Sequence, residues 1–193
     1  ENFDKLMDYD CSWGIPGIGR FRVNIMKQRG SPMIVMRVIP IEIPTVDDLG
    51  LPPIISKIAA HRRGMILVTG VTGSGKSSTM AAMVNWMNMN RAEHIVTLEN
   101  PIEFLHRDNK CSITQRDIGT DTESFVSGLR AVLRQDPDVI LIGEMRDKIT
   151  IDTALKAAET GHLVISTVHT KHAVQTLSRL IAVLEPSEPD MIR

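Results

Sequence analysis

The spacing of hydrophobic positions changes along the chain, and the change divides it. Over Arg20-Phe-Arg-Val-Asn-Ile-Met26 polar and apolar residues alternate, the period of a half-buried strand. Pro32-Met-Ile-Val-Met-Arg-Val-Ile39 reads as a second strand. Gln28-Arg-Gly-Ser31 between them can turn the chain, so a hairpin is predicted. Trp13-Gly-Ile-Pro-Gly-Ile-Gly19 ahead of it is rich in turn formers. Pro40, Pro44, Pro52 and Pro53 then surround Thr45-Val-Asp-Asp-Leu-Gly-Leu51, which reads as a linker carrying one helical turn.

From Ile54 onward the texture is different. Ile54 to Arg63 is predicted helical, stopped by Gly64. Met65-Ile-Leu-Val-Thr69 is a short apolar run of the kind that forms a buried strand. Met80, Met83, Val84 and Met87 fall at the spacing of one helix face. His94–Glu99 is a second strand and Cys111–Thr114 a weak one. Thr120-Asp-Thr-Glu123 has the form of a capping box, with Phe125, Leu129, Val132 and Leu133 continuing a helix face. Asp136–Glu144 contains a further buried strand. Ile151, Ala154, Leu155 and Ala158 mark a helix ended by Gly161; His162–Thr167 is a strand; Val174, Leu177, Ile181 and Leu184 mark a last helix. Strands alternating with helices predict right-handed crossovers and a mostly parallel sheet, so from residue 56 the chain reads as a doubly wound α/β core.

Composition narrows the classes. The chain has 193 residues, 42% hydrophobic, enough for one domain and part of another. A net charge of −1 gives no general attraction to nucleic acid or an anionic membrane, and 4% aromatic residues leave little for stacking on bases. Cys11 and Cys111, far apart and in no metal-type spacing, read as two reduced thiols of a cytosolic protein. No apolar run reaches the length of a membrane span, and no signal peptide is recognisable, so no direct membrane insertion is expected. The chain opens in mid-pattern and ends at Ser187-Glu-Pro-Asp-Met-Ile-Arg193, which looks like a helix start; it reads as a piece of a longer protein.

The chemistry begins at Gly70-Val-Thr-Gly-Ser-Gly-Lys-Ser77, a G-x-x-x-x-G-K-S loop between a predicted strand and a predicted helix. Glycines let the backbone wrap an anion with its amides turned inward, and the helix start adds positive potential. Gly70, Thr72, Gly73, Ser74, Gly75, Lys76, Ser77 and Ser78 are therefore candidate nucleotide-binding residues. Lys76 is placed to reach the β- and γ-phosphates and Ser77 to bind Mg²⁺. Glu99 and Glu144 each follow an apolar run, and in α/β sheets ligands sit beyond the carboxyl ends of strands. Four hydrophobes, Val139–Ile142, followed through Gly143 by the acid Glu144, make the Walker B pattern. Glu99 and Glu144 are candidates for supporting Mg²⁺, partly through water, and for orienting the attacking water. Spacing does not divide the two jobs. His169, after the last strand, is a candidate sensor or catalytic support. The arginines of the first strands read as a solvated face or as arginine fingers.

Together these residues resemble the type II/IV secretion ATPase superfamily, and within it the PilT-like twitching-motility ATPases. The resemblance rests on Gly70–Ser77 (Walker A), Thr97-Leu-Glu-Asn-Pro-Ile-Glu-Phe104 (Asp box), Leu133–Asp147 (Walker B) and Thr160-Gly-His to Val168-His-Thr170 (His box). Gly19-Arg-Phe-Arg-Val-Asn and Met36-Arg-Val-Ile-Pro40 resemble the end of that family's PAS-like α+β domain. The resemblance implies a RecA-like P-loop NTPase core, a three-layer α/β/α arrangement, over residues 56–193. It implies the PAS-like piece over 1–43 and an interdomain linker over 44–55. It implies ATP and Mg²⁺ as cofactors and Lys76, Glu99, Glu144 and His169 as catalytic candidates. Arg20, Arg22, Arg37, His162 and His169 become candidates for reaching the γ-phosphate. It also implies a homohexameric cytoplasmic ring, peripheral at the inner membrane, working with inner-membrane pilus platform proteins and driving pilus retraction. One departure stands out: Glu99-Asn100-Pro101 has Asn where the family usually has Asp, keeping an acceptor and losing a charge. A pilus-assembly or secretion-export ATPase, and a non-catalytic nucleotide switch, are the alternatives.

Overall fold

The structure is a computed structural model that describes residues 8–15, 18–168, 170 and 173–184. It falls into two compact units, Glu1–Ile43 with Glu103–Leu105, and Pro44–Ile102 with His106–Arg193.

The first unit is an antiparallel sheet of β1 (Asp8–Ile15), β2 (Gly19–Gln28) and β3 (Ser31–Ile39), in that order. The predicted hairpin is β2–β3, closed at Gln28↔Ser31 through Arg29 and Gly30, both at positive φ. Trp13, Gly14 and Ile15, expected in a turn, belong instead to β1. Pairing with Phe21, Arg20 and Gly19 holds them extended. Period two puts Val23 in the buried set, whereas β3 is exposed from Ser31 to Val38.

Thr45 and Asp48 open the second unit with a reciprocal clasp. Asp48 Oδ2 accepts from the Thr45 amide and hydroxyl, and Thr45 Oγ1 accepts from the Asp48 amide. The unit then runs α1 (Ile54–Ala59), β4 (Gly64–Thr69), α2 (Lys76–Asn90), β5 (His94–Glu99), β6 (Ser112–Asp117), α3 (Phe125–Val132), β7 (Val139–Ile142), α4 (Lys148–Glu159), β8 (Leu163–Val168) and α5 (Ala173–Leu184). Five strands pair in the order β4-β8-β7-β5-β6, all parallel. The doubly wound reading therefore holds. One core cluster joins Met80, Met83, Val84 and Met87 of α2 to Ile95, Val139, Leu163 and Ile165. On the other side Leu129, Val132, Ile151, Ala154 and Ala157 pack with Val96, Leu98, Ile140, Ile142 and Val164. The alternation of Ile95/Val96 and Ile165/Val164 between the two clusters is the strand period at work.

Several local expectations are corrected. α1 stops at Ala59 rather than Arg63, and Gly64, at φ +106, starts β4 instead of ending a helix. The amide of Gly64 bonds the His162 carbonyl, which draws it into the sheet. The capping box lies four residues later than Thr120–Glu123. Ser124 caps α3 reciprocally with Ser127, while the Asp121 and Thr122 amides turn back to the Asp117 carbonyl. On α5 the period is right but its rotation is not. Thr176 and Leu180 are buried, while Leu177 and Ile181 are 64% and 57% exposed.

Two polar anchors fix loops to this core. Arg91, at the C-cap of α2, donates from Nη1 to the carbonyls of Ala59 and His61 and pairs with Glu93 through Nη2. The buried amide of Asn88, in the last turn of α2, accepts from the backbone of Asn109 and Cys111 and donates to the Arg107 carbonyl.

Candidate functional site

Because all five strands run the same way, the chain leaves β4, β5, β7 and β8 at one edge of the sheet. The glycine loop follows β4 there. Gly70, Gly73 and Gly75 all stand at positive φ, which only glycine adopts without strain, and Gly75 is the left-handed N-cap of α2. No side chain caps that end. A Cβ on Gly70 would meet Ser74 Oγ, which would have to turn away, and the φ of +152° strains any side chain placed there. Lys76 is buried, and its ammonium donates to the carbonyls of Gly70 (3.0 Å) and Val71 (2.9 Å). These observations fit a phosphate tail: uncapped helix amides need an acceptor, and a buried cation is poised at the loop's rim. Thr72 and Ser74 are exposed on the loop, with Ser77 and Ser78 half-buried in the first turn of α2.

Glu99 and Glu144 come together on the same edge. Leu98 pairs with Ile142, and the Gly143 amide donates to the Leu98 carbonyl at 2.8 Å. Gly143 is closely approached there: a Cβ would stand 3.3 Å from that carbonyl oxygen and 3.5 Å from the Glu99 Cα. The tight approach brings the two carboxylate-bearing strand ends side by side. The β7 strand is two places from β4, about 10 Å at ordinary strand spacing. Thr167 Oγ1 donates to the Gly143 carbonyl, tying β8 to the turn that carries Glu144.

Each carboxylate is held. Glu99 Oε1 accepts from Thr97 Oγ1 at 2.7 Å and from Gln115 Nε2 at 3.2 Å. Glu144 Oε2 accepts from Arg146 Nε at 2.7 Å, with Arg146 largely in solvent. The turn ends at Asp147, the N-cap of α4, which accepts from the Thr150 amide and hydroxyl. Burial raises the Asp147 carboxyl, but these Thr150 bonds and the Ile149 amide outweigh it and leave its pKa below the ordinary aspartate value. Among the described residues no three His, Cys, Asp or Glu side chains converge as a metal site. Mg²⁺ ordinarily takes one or two protein groups together with substrate phosphates, and Ser77, Glu99 and Glu144 offer that kind of set.

Other candidates fall elsewhere. His162 precedes β8, at the far end of a strand about 20 Å long, with its Nδ1 2.9 Å from the Ala157 carbonyl. The structure does not bring it to the phosphate loop of its own chain. His169 lies outside the described residues. Arg20, Arg22 and Arg37 stand on β2 and β3 of the first unit, with Arg22 directly opposite Arg37 and Arg20 donating to Ser12 Oγ. Asn100 is exposed, and its bond to Pro101 is cis. Sequence reasoning gave no role to Thr97, Gln115, Arg146 or Thr167. Thr97 and Glu99 share a strand face by period two, so that pair was findable; Gln115 depends on the β5–β6 register and carries no local signal.

Residues 15–187 match the family described as type II/IV secretion system protein. The chain belongs to that family. It is 45% identical over its whole length to 56% of the type IV pilus retractation ATPase PilT of Pseudomonas aeruginosa. It is 47% identical, over 99% of itself and 51% of the relative, to the twitching motility protein of Neisseria gonorrhoeae. The solved structure of the pilus retraction motor PilT with bound ADP superposes with a TM-score of 0.91 at 47% identity, over 94% of this chain and 53% of that one. The chain thus spans about half the length of the curated relatives it matches. Among the described residues no helix is long and apolar enough to cross a membrane.

Proposed function

We propose that this chain is the nucleotide-hydrolysing part of a ring-forming ATPase that powers type IV pilus retraction. The observation that carries the proposal is the meeting, on one sheet edge, of an uncapped glycine loop with its lysine and two adjoining strand-end carboxylates. The whole-length similarity to a protein named as a retraction ATPase chooses the process.

The loop amides and Lys76 grip the β- and γ-phosphates of ATP. Lys76 exchanges the carbonyls of Gly70 and Val71 for phosphate oxygens as they arrive. Ser77, Glu99 and Glu144 would hold Mg²⁺, which when bound would offset the charge of the phosphates. Glu99 and Glu144 share the orientation of the attacking water. Nothing covalent is needed, since positioning and electrostatics carry phosphoryl transfer. His169, next in sequence after β8, serves as the γ-phosphate sensor.

Arg22 and Arg37 face each other in the β2–β3 register, a like-charge pair that an anion would relieve. With Arg20 they act as arginine fingers, reaching the nucleotide of a neighbouring subunit in a hexamer. The ring works in the cytoplasm against inner-membrane platform proteins.

Multiple-turnover phosphate release from MgATP by the full-length protein tests the reading, with Glu144→Ala as the control. Turnover should fall about 100-fold or more in the variant. Full activity in Glu144→Ala removes that residue's role. A protein that binds ATP and releases no phosphate is a nucleotide switch instead.

A further inference from the structure

We infer that Gln115 is a positioning residue for Glu99, a role that rests on the ATPase reading above. Glu99 ends β5, and Gln115 lies on the neighbouring strand β6, opposite Thr97. Paired residues of parallel strands share a face, so Thr97, Glu99 and Gln115 form one polar group on the sheet. Glu99 Oε1 receives two donors, one from its own strand and one across the ladder. The Thr97 bond restrains that oxygen from within the strand and the Gln115 bond from across the ladder, so the second donor narrows the directions open to the carboxylate.

The Gln115 amide makes this contact in one orientation only. Its Oε1 accepts from the His106 backbone amide at 2.8 Å, so the acceptor end is committed to the loop and the NH₂ end turns to Glu99. Flipping the amide would set a carbonyl oxygen against a carboxylate and a donor against a donor, losing both bonds. The loop amide therefore orients Gln115, and Gln115 orients Glu99. Thr97, fully buried beneath them, completes the clasp.

Two jobs can be separated at this residue: holding the His106 loop and aiming Glu99. Gln115→Glu retains the acceptor for the His106 amide and removes the donor to Glu99. Gln115→Leu removes both. Steady-state phosphate release from MgATP in the full-length protein should show kcat lowered about 10-fold or more in both variants, with KM for ATP within about twofold of the parent. In a Glu99→Gln background the same changes should cost less than about twofold, because residues acting as one unit do not add. Binding of a fluorescent ADP analogue checks that each variant is folded, and Thr97→Val reads the other half of the clasp if Gln115→Leu is not.

A parental kcat in Gln115→Glu overturns the inference and leaves only a loop-holding role. An equal loss in the Glu99→Gln background overturns it too, since Gln115 would then act independently. A parent protein that releases no phosphate sinks the ATPase reading itself, a different and separately visible failure.

Discussion

Burial decides the charge of His106. Its Nδ1 is buried without a hydrogen-bond partner among the described residues, and burial holds its pKa down from 6.5 to about 4. Between those values the unfolded chain takes up a proton that the folded chain refuses. The contribution to stability is complete above pH 6.5 and is lost as pH falls toward 4, at up to about 1.4 kcal/mol per unit. His106→Gln removes this slope, so urea midpoints at pH 7 and pH 5 should lie closer together in the variant than in the parent. An unchanged gap would place the acid sensitivity in other groups. Cys111 follows the same rule with the opposite sign. Burial pushes its thiol above the ordinary value, against a thiolate role.

Gly128 of α3 shows how closely an element is set. A Cβ there would lie 2.9 Å from Leu98 Cδ2 and 3.2 Å from Thr122 Cγ2, so helix and strand β5 meet with nothing to spare. Gly128→Val should cost about 1–3 kcal/mol and lower Tm by several degrees, read by calorimetry. An unchanged Tm would mean that the Leu98 and Thr122 side chains shift aside freely. Elements of this kind were largely legible in the residues. Val139–Ile142 is buried on both faces and reads as an uninterrupted apolar run, and Met80, Met83, Val84 and Met87 have one helix face and one core to meet. Ends were less legible, because a cap is chosen by geometry among several eligible residues: Ser124 wins over Thr120 once Asp117 has engaged the intervening amides. The rotation of α5 was illegible for a related reason. Period alone admits Leu177 and Ile181 as readily as Thr176 and Leu180, and the packing of Leu180 into the core cluster beside α4 selects between them. The Glu99 clasp was hidden more deeply, since Gln115 reaches it only through the order of strands in the sheet.

At the scale of the whole molecule, the parallel sheet gathers residues far apart in sequence onto one rim, while the arginine pair stands on a separate sheet. If Arg22 and Arg37 serve a neighbour's nucleotide, two crippled chains should rescue one another. A mixture of Lys76→Ala chains with Arg22→Ala/Arg37→Ala chains should release phosphate faster than the two do separately. A rate equal to their sum would return the arginines to a solvated face. Helix α2 adds a length scale to this arrangement. Its 15 residues make a rod about 22 Å long, with the glycine loop at its head and Asn88 near its foot, strapped to the backbone at Arg107, Asn109 and Cys111. The strapped stretch leads straight into β6, the strand that carries Gln115, so one side chain at the foot of the helix ties it to the start of the sheet's edge strand.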